Sequence, residues 1–337
     1  MSFDQFWNKH LEALGQTAKL ILDHKSFFVC SHINPDADAL GSTLAMGIAL
    51  EEMGKRVYVY NESPVPQQLQ FLPRVQTLQD VLPDPSTAFD ATLVLDCGSM
   101  KRVGKGILPY YESGKSGLIA CIDHHASNNG FGAMNLIVPE ASSTSEIVAG
   151  LFQSIRHPFT RDVATCLYAG ISVDTGSFMH QGTSPYTFRL CAQLVESGAD
   201  PHAIAVSLYE QRPRYYFQFF GEVLKTLTFE DHLPVSWMRV EREILDQYGY
   251  DMDVTEGMIE ELRSVEGMEV VILYKQNDDL NGYKVSMRSK DGFDVAGVCA
   301  QFGGGGHRRA AGVDMKGRFE DIHKKLMDAI QKQLRTH

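Results

Sequence analysis

Three runs of continuously apolar residues each break off at a polar loop able to do chemistry. Phe27-Phe28-Val29-Cys30 enters Ser31-His32-Ile33-Asn34-Pro35-Asp36-Ala37-Asp38. Ala91-Thr92-Leu93-Val94-Leu95 stops at Asp96, and Leu118-Ile119-Ala120-Cys121-Ile122 stops at Asp123-His124-His125. A strand with one wet face alternates apolar and polar residues, whereas one that is apolar throughout is buried on both faces. Such strands, separated by helix-length segments, predict an α/β fold with a parallel sheet and helices on both faces. In sheets of this kind ligands bind just beyond the carboxyl ends of the strands, where these loops lie.

The intervening segments fit that plan. A small-residue helix is expected from about Leu40 to Met53, then a strand at Lys55–Glu62 and a proline-punctuated connection from Pro64 to Pro85. Helices follow at Ser142–Ile155, with Ser142, Ser143 or Thr144 as N-cap, at Arg161–Ile171 and at Pro185–Glu196. Residues 1–198 read as one domain and 199–220 as a helical linker. The linker aromatics, Tyr215 to Phe220, either stack bases or, the favoured reading, form a packed hinge. Residues 221–337 read as a smaller second α/β domain. Its strands are expected at Val235–Val240, Met268–Tyr274 and Gly282–Met287, and its helices at Thr255–Arg263, Val295–Gln301 and Phe319–Leu334. Met1–His24 reads as an amphipathic helix rather than a targeting segment. No apolar stretch approaches the roughly 20 residues that span a bilayer.

Charge and cysteine usage narrow the class. The net charge of −11 argues against a protein that lives on long nucleic acid, which needs a basic face for its phosphate contacts. It leaves room for a small anion held by a local basic cluster. The cysteines (Cys30, Cys97, Cys121, Cys166, Cys191 and Cys299) are scattered, mostly in apolar runs, with no C-x-x-C pair. Buried free thiols in a reducing compartment are expected, hence the cytoplasm.

The strand-end residues share one chemical character. Asp36 and Asp38 repel each other, and each wants a counter-charge in a partly buried site. Asp96, Asp123-His124-His125 and Asp174, in the turn Val173-Asp174-Thr175-Gly176, add carboxylates and imidazoles but no thiolate. Taken singly, a D-x-D is a turn or a cap, and Asp174 is a turn residue. Taken together, oxygen ligands with some nitrogen suit Mn²⁺ or Mg²⁺, with Co²⁺ or Fe²⁺ as alternatives. The acids exceed the needs of one cation, which points to two metals and in-line displacement at phosphorus.

His32-x-x-x-Asp36-x-Asp38, Asp96, Asp123-His124-His125 and Asp174 together resemble the four motifs of the DHH phosphoesterase family. Phe302-Gly303-Gly304-Gly305-Gly306-His307-Arg308-Arg309-Ala310-Ala311-Gly312 resembles the glycine-rich motif of the DHH-associated C-terminal domain, type 1. Ala37 stands where many relatives have glycine, a change small enough to keep the loop. The resemblance implies two Mn²⁺, with Mg²⁺ or Co²⁺ as alternatives. His32 and Asp36 hold the first, Asp38, His124 and Asp174 the second, and Asp96 bridges both. It implies that Asp123 orients an imidazole and that His125 faces the scissile phosphate. The two domains are expected to lie across a cleft. Ser127 and Asn128 either position substrate or cap a helix.

The tail also has a residue-level reading. Consecutive glycines let backbone amides approach an anion closely, so Gly304, Gly305 and Gly306 with His307 and Arg308 are expected to grip a phosphate. Arg288 either forks onto a phosphate or stacks on a base. The resemblance implies hydrolysis of short oligoribonucleotides, and of 3′-phosphoadenosine 5′-phosphate (pAp) to AMP, by a metal-bridging hydroxide. Cyclic-dinucleotide hydrolysis is the alternative and a non-catalytic nucleotide sensor a lower one. The expected partners are short RNA or a nucleotide, with no long duplex and no membrane; relatives are often homodimers.

Overall fold

The computed structural model describes residues 3–255, 257–290 and 292–334, without the side chains of Asp4 and His307. It divides into two compact units, Met1–Gln211 and Arg212–His337.

The first unit opens with α1 (Phe3–Trp7) and α2 (Leu11–Asp23). The single amphipathic helix expected over this stretch is therefore broken, with a turn closed by the His10 amide donating to the Trp7 carbonyl. Then come β1 (Ser26–Cys30), α3 (Ala37–Glu52), β2 (Arg56–Tyr60), β3 (Ala91–Leu95), α4 (Leu108–Glu112), β4 (Leu118–Asp123) and β5 (Met134–Ile137). Four helices follow: α5 (Thr144–Ser154), α6 (Arg161–Asp174), α7 (Pro185–Glu196) and α8 (Pro201–Tyr209). The five strands run parallel in the order β2-β1-β3-β4-β5. Strand β5 carries no continuous apolar run and was not expected from sequence. The apolar runs behave as predicted. Phe27 and Val29 enter the core shared with α2, α3, α5 and α6. Phe28 and Cys30 face the opposite way, against Tyr60, Phe89, Val94 and Tyr110.

From β1 the chain moves outward to β2 and then returns to β3 on the other side. That reversal is the topological switch point of the sheet. The loops carrying His32, Asp36 and Asp38 and the loop carrying Asp96 leave the sheet on either side of it. Close helix packing shapes the wall around them. A Cβ at Gly41 of α3 would strike the Cys166 carbonyl of α6, and one at Gly150 of α5 would strike the Trp7 indole. Trp7 is fully buried and its Nε1 donates to Tyr186 Oη at 3.2 Å, so the ring has little room to yield. Gly150→Ala is therefore expected to destabilise by about 1–3 kcal/mol. Calorimetry checks it as a fall in Tm of some 2–10 °C.

The second unit holds α9 (Tyr216–Leu224), β6 (Thr228–Phe229), β7 (Val235–Val240), α10 (Arg242–Tyr248) and α11 (Met258–Arg263). It continues with β8 (Val270–Gln276), β9 (Gly282–Ser289), α12 (Val295–Ala300), β10 (Gly305–His307), β11 (Ala310–Lys316) and α13 (Phe319–Leu334). Its sheet runs β10-β11-β9-β8-β7-β6 and is antiparallel except for β7 beside β8. Alternate residues of β8 again go to opposite faces: Val270, Ile272 and Tyr274 to one core, Val271 and Leu273 to another. Of the linker aromatics, Tyr216 and Phe219 are buried in the latter core, while Phe217 is 75% exposed.

Candidate metal centre

The opening loop divides its two acids between two helices. Asp36 caps α3, and its Oδ1 accepts from the amides of Asp38 at 3.0 Å and Ala39 at 2.9 Å. The helix thus begins at Ala37, three residues before the sequence suggested, because an aspartate satisfies its orphan amides. Asp38, buried in the first turn, points to a different helix. Its Oδ2 accepts from the Thr144 amide at 2.7 Å and its Oδ1 from the Ser145 amide at 2.8 Å. Those are the first amides of α5, where helix-dipole charge and unpaired donors favour a carboxylate. Ser143 is the N-cap of α5, and Glu146, fully buried, fixes the same end. Its Oε2 accepts from the Ser142 amide and its Oε1 from Thr187 Oγ of α7.

Asp96 follows β3 with φ of 52°, a left-handed conformation that aspartate tolerates better than most residues. Its Oδ1 accepts from Thr144 Oγ at 3.0 Å. Three imidazoles surround it: His32 Nε2 at 3.5 Å, His125 Nδ1 at 3.6 Å and His124 Nε2 at 3.7 Å. Burial alone would raise its pKa, but the His32 hydrogen bond and the neighbouring imidazole charges hold it far below the usual range.

Hydrogen bonds assign the ring nitrogens, which sequence leaves undetermined. His32 Nδ1 donates to the Ile33 carbonyl at 2.8 Å, so Nε2 turns to Asp96. His124 is hydrogen-bonded to the Ala141 backbone, and its Nε2 lies 3.3 Å from Asp174 Oδ2. His125 Nδ1 donates to Asp123 Oδ1 at 2.7 Å. Burial works against protonation of all three rings. Their carboxylate neighbours, Asp96 for His32 and His124 and Asp123 for His125, outweigh it and raise each pKa.

Asp174 is the last residue of α6, not a turn residue beyond it. The turn that follows holds Gly176, Ser177 and Phe178 at φ of 56°, 56° and 68°. Such conformations are costly for side-chain-bearing residues. They are held by the Ser177 amide on the Ser172 carbonyl at 2.7 Å and the Phe178 amide on Thr175 Oγ at 3.0 Å.

Among the described residues three groups of potential ligand atoms result: His32, Asp36 and Asp96; Asp38, His124 and Asp174; and Asp96, His124 and His125. Within each group the atoms lie within 4.8 Å of one another. The electrostatics fit a cation. Burial, then repulsion from Asp96, pushes Asp38 up to about 7. Burial and the charges of Asp38 and Asp96 raise Asp174 well above its ordinary value. This surplus of desolvated negative charge is what a divalent ion neutralises. The donors are carboxylate oxygen and imidazole nitrogen. The nearby Cys97 and Cys121 thiols are pushed up to about 12 by burial and are not thiolate ligands.

Sequence reasoning missed the amides of Thr144 and Ser145 and the anchoring role of Asn128. A Ser-Ser-Thr-Ser run signals a helix start, but nothing in it announces an aspartate 106 residues away. Asn128 neither caps a helix nor lies open to substrate. It is 8% exposed, and its Nδ2 donates to Asp123 Oδ2 at 2.6 Å.

In the second unit the glycine run forms a strand rather than a loop. Gly305, Gly306 and His307 pair with Gly312, Ala311 and Ala310. Arg308 and Arg309 form the two-residue turn. A Cβ at Gly304 would strike the Gly312 carbonyl, and one at Gly306 would lie 2.5 Å from the Ala310 carbonyl. Close strand approach therefore already accounts for these two glycines. The Gly303 and Gly304 amides donate to Ala300 and Cys299 carbonyls, at 3.2 and 2.9 Å. An open nest of four glycine amides is thus not formed. What remains is an edge strand with one side outside the ladder. Arg288 Nε donates to Glu260 Oε1 at 2.8 Å, and Arg308 Nη2 to the Gly292 carbonyl at 3.2 Å. The expectation for the His307 side chain lies outside the described residues.

The profile of the DHH family, N-terminal domain, matches residues 26–171, and that of the DHHA1 domain matches residues 235–335. The chain thus carries a DHH domain followed by a DHHA1 domain. It is similar to the bifunctional oligoribonuclease and PAP phosphatase NrnA of Thermus thermophilus. The two are 29% identical over 333 residues, 98% of this chain and 96% of the relative. The Bacillus subtilis protein of the same name is 24% identical over 289 residues, 84% of this chain and 87% of its own. Among solved structures, an exopolyphosphatase-related protein from Bacteroides fragilis shares the fold. It superposes with a TM-score of 0.86 at 23% identity, covering 96% of each chain.

Proposed function

We propose that this chain is a metal-dependent phosphoesterase of the cytoplasm that hydrolyses very short RNA to mononucleotides and pAp to AMP. The observation that carries this reading is Asp96. One buried carboxylate belongs to two ligand groups, beside a third group that supplies Asp38 and Asp174. The likeness to relatives named for these two activities supports the substrate class.

One cation would be held by His32, Asp36 and Asp96, and a second by Asp38, His124 and Asp174. Mn²⁺ is the preferred occupant, with Mg²⁺ or Co²⁺ as alternatives. When bound, such ions supply Lewis-acid charge opposite the phosphoryl oxygens and a nucleophile at neutral pH. The chain's own residues supply fixed geometry. Asp36 and Asp38 are held by helix amides and need not reorganise during reaction. His125, its Nδ1–H on Asp123, presents Nε2 to the phosphate and donates from there when protonated. The second unit binds the anionic end of the substrate through Arg288, His307 and Arg308, beside the outer edge of the strand that carries Gly305 and Gly306. One anchoring grip suits a short substrate and an acidic chain.

A substrate panel with Mn²⁺ tests the reading: RNA from dimers to decamers, pAp and cyclic di-AMP. Dimers to pentamers and pAp are expected to be consumed fastest and decamers slowly. Turnover of the cyclic compound alone would overturn the assignment. Chelator-stripped protein is expected to gain about 2.7 kcal/mol of stability when Mn²⁺ is added at about a hundredfold its Kd. A thermal-shift titration measures this, and a Tm indifferent to Mn²⁺ would contradict it.

A further inference from the structure

We infer that Asn128 is a positioning residue for the reaction, acting on His125 through the Asp123 carboxylate. The inference rests on the reading of His125 as the group facing the phosphate, and it adds what fixes that ring.

The hydrogen bonds form a directed chain. Asp123 is fully buried. Its Oδ1 accepts from His125 Nδ1 at 2.7 Å and from the His124 amide at 3.0 Å, and its Oδ2 accepts from Asn128 Nδ2 at 2.6 Å. The orientation of the Asn128 amide is settled by its other end. Its Oδ1 accepts from the Gly130 amide at 2.8 Å. A flipped amide would set oxygen against carboxylate and NH₂ against N–H. Nδ2 also faces the Cys97 carbonyl at 3.3 Å and Cys121 Sγ at 3.2 Å. Both are acceptors, so the site is built for a neutral donor. Cys97 follows Asp96 directly, so one side chain ties the loop after β3 to the loop after β4.

With its outer oxygen held, the Asp123 carboxylate cannot rotate, and its inner oxygen stays on His125 Nδ1. That keeps the Nδ1–H tautomer in the neutral ring and leaves Nε2 as the nitrogen that exchanges a proton with substrate. A neutral donor suffices to hold a carboxylate; a second carboxylate in its place would repel Asp123. Packing alone predicts a different outcome. If Asn128 merely fills space, any loss of kcat follows the loss of stability in both variants, and the His125 ring keeps its wild-type tautomer.

Four variants decide between the two, assayed on the full chain with Mn²⁺ and pAp: two at Asn128, His125→Asn, and the double variant. Asn128→Asp is expected to lose kcat at least as severely as Asn128→Ala, by roughly ten- to a hundredfold, with KM little changed. Combined with His125→Asn, the Asn128→Ala change is expected to add nothing to the single His125→Asn loss, because the two act as one unit. Should the alanine variant fail to fold, the volume-conserving Asn128→Asp carries the test alone. A readout independent of turnover uses metal-free protein. ¹⁵N–¹H correlations of the His125 ring are expected to show the Nδ1–H tautomer in wild type and a mixture in the variants. Asn128→Asp with wild-type kcat, or an unchanged ring pattern in both variants, overturns the inference. If wild type turns over none of the substrates, the proposed function fails, and the ring pattern still decides the role of Asn128.

Discussion

Asp96→Asn is expected to cut turnover of every substrate roughly a thousandfold, about 4 kcal/mol of transition-state stabilisation, with the fold intact. Asparagine isolates the charge. It tolerates the left-handed backbone that Asp96 adopts at φ of 52°, so no strain is added to the loop after β3. It keeps an oxygen able to accept from Thr144 Oγ. It removes the negative charge that faces His32, His124 and His125 within 3.7 Å. Asp96 is common to two of the ligand groups, so its loss weakens both, whereas loss of Asp36 or Asp174 weakens one. The expected result is a flat loss with RNA dimers and pAp alike, and a weaker response of Tm to Mn²⁺. Activity within tenfold of wild type with Mn²⁺ would remove Asp96 from the centre of the mechanism.

The residues that meet in the candidate metal centre were readable because their signal is local and repeated. An apolar strand that ends on an acid is visible in a short window, and three such strands at one sheet edge imply convergence. What holds those residues was not readable. Asp36 and Asp38 look equivalent in sequence, yet one caps the helix it begins while the other is held by a helix 106 positions further on. Asn128 looked like a loop residue facing substrate or capping a helix. Its role depends on Asp123 and Cys97 meeting it in the buried space behind the loop. The glycine run misled in the opposite sense. Glycines suggest an anion nest, but Gly304 and Gly306 are required by the approach of β11, a contact that no local pattern encodes. Helix α6, which packs against α3, runs on to Asp174, past the expected end at Ile171, and stops only where Thr175-Gly176 begins.

That packing yields the second large effect, Gly170→Ala. Gly170 lies on α6 where a Cβ would strike Ser145 Oγ and come within 2.9 Å of Asp38 Oδ1. Ser145 can rotate, but Asp38 cannot retreat without giving up the amides of Thr144 and Ser145. Stability and activity should therefore separate. Alanine gains about 1 kcal/mol over glycine in a helix, which offsets part of the roughly 1–3 kcal/mol cost of overpacking. The net change in Tm is expected to be a few degrees at most. Displacing a carboxylate proposed to hold a metal by even a fraction of an ångström is felt more sharply, since about 1 Å of misplacement costs on the order of a hundredfold in rate. Gly47→Ala is the matched control. Gly47, on α3, is another crowded helix glycine, but its Cβ would meet Val59 Cγ2 at 2.7 Å, the tip of a core side chain. That change should cost stability and leave kcat alone. Equal activity losses in the two variants would mean that helix packing in general, rather than the placement of Asp38, sets the rate. A Gly170→Ala loss of kcat and Mn²⁺ affinity without a matching fall in Tm would place the effect on the carboxylate itself.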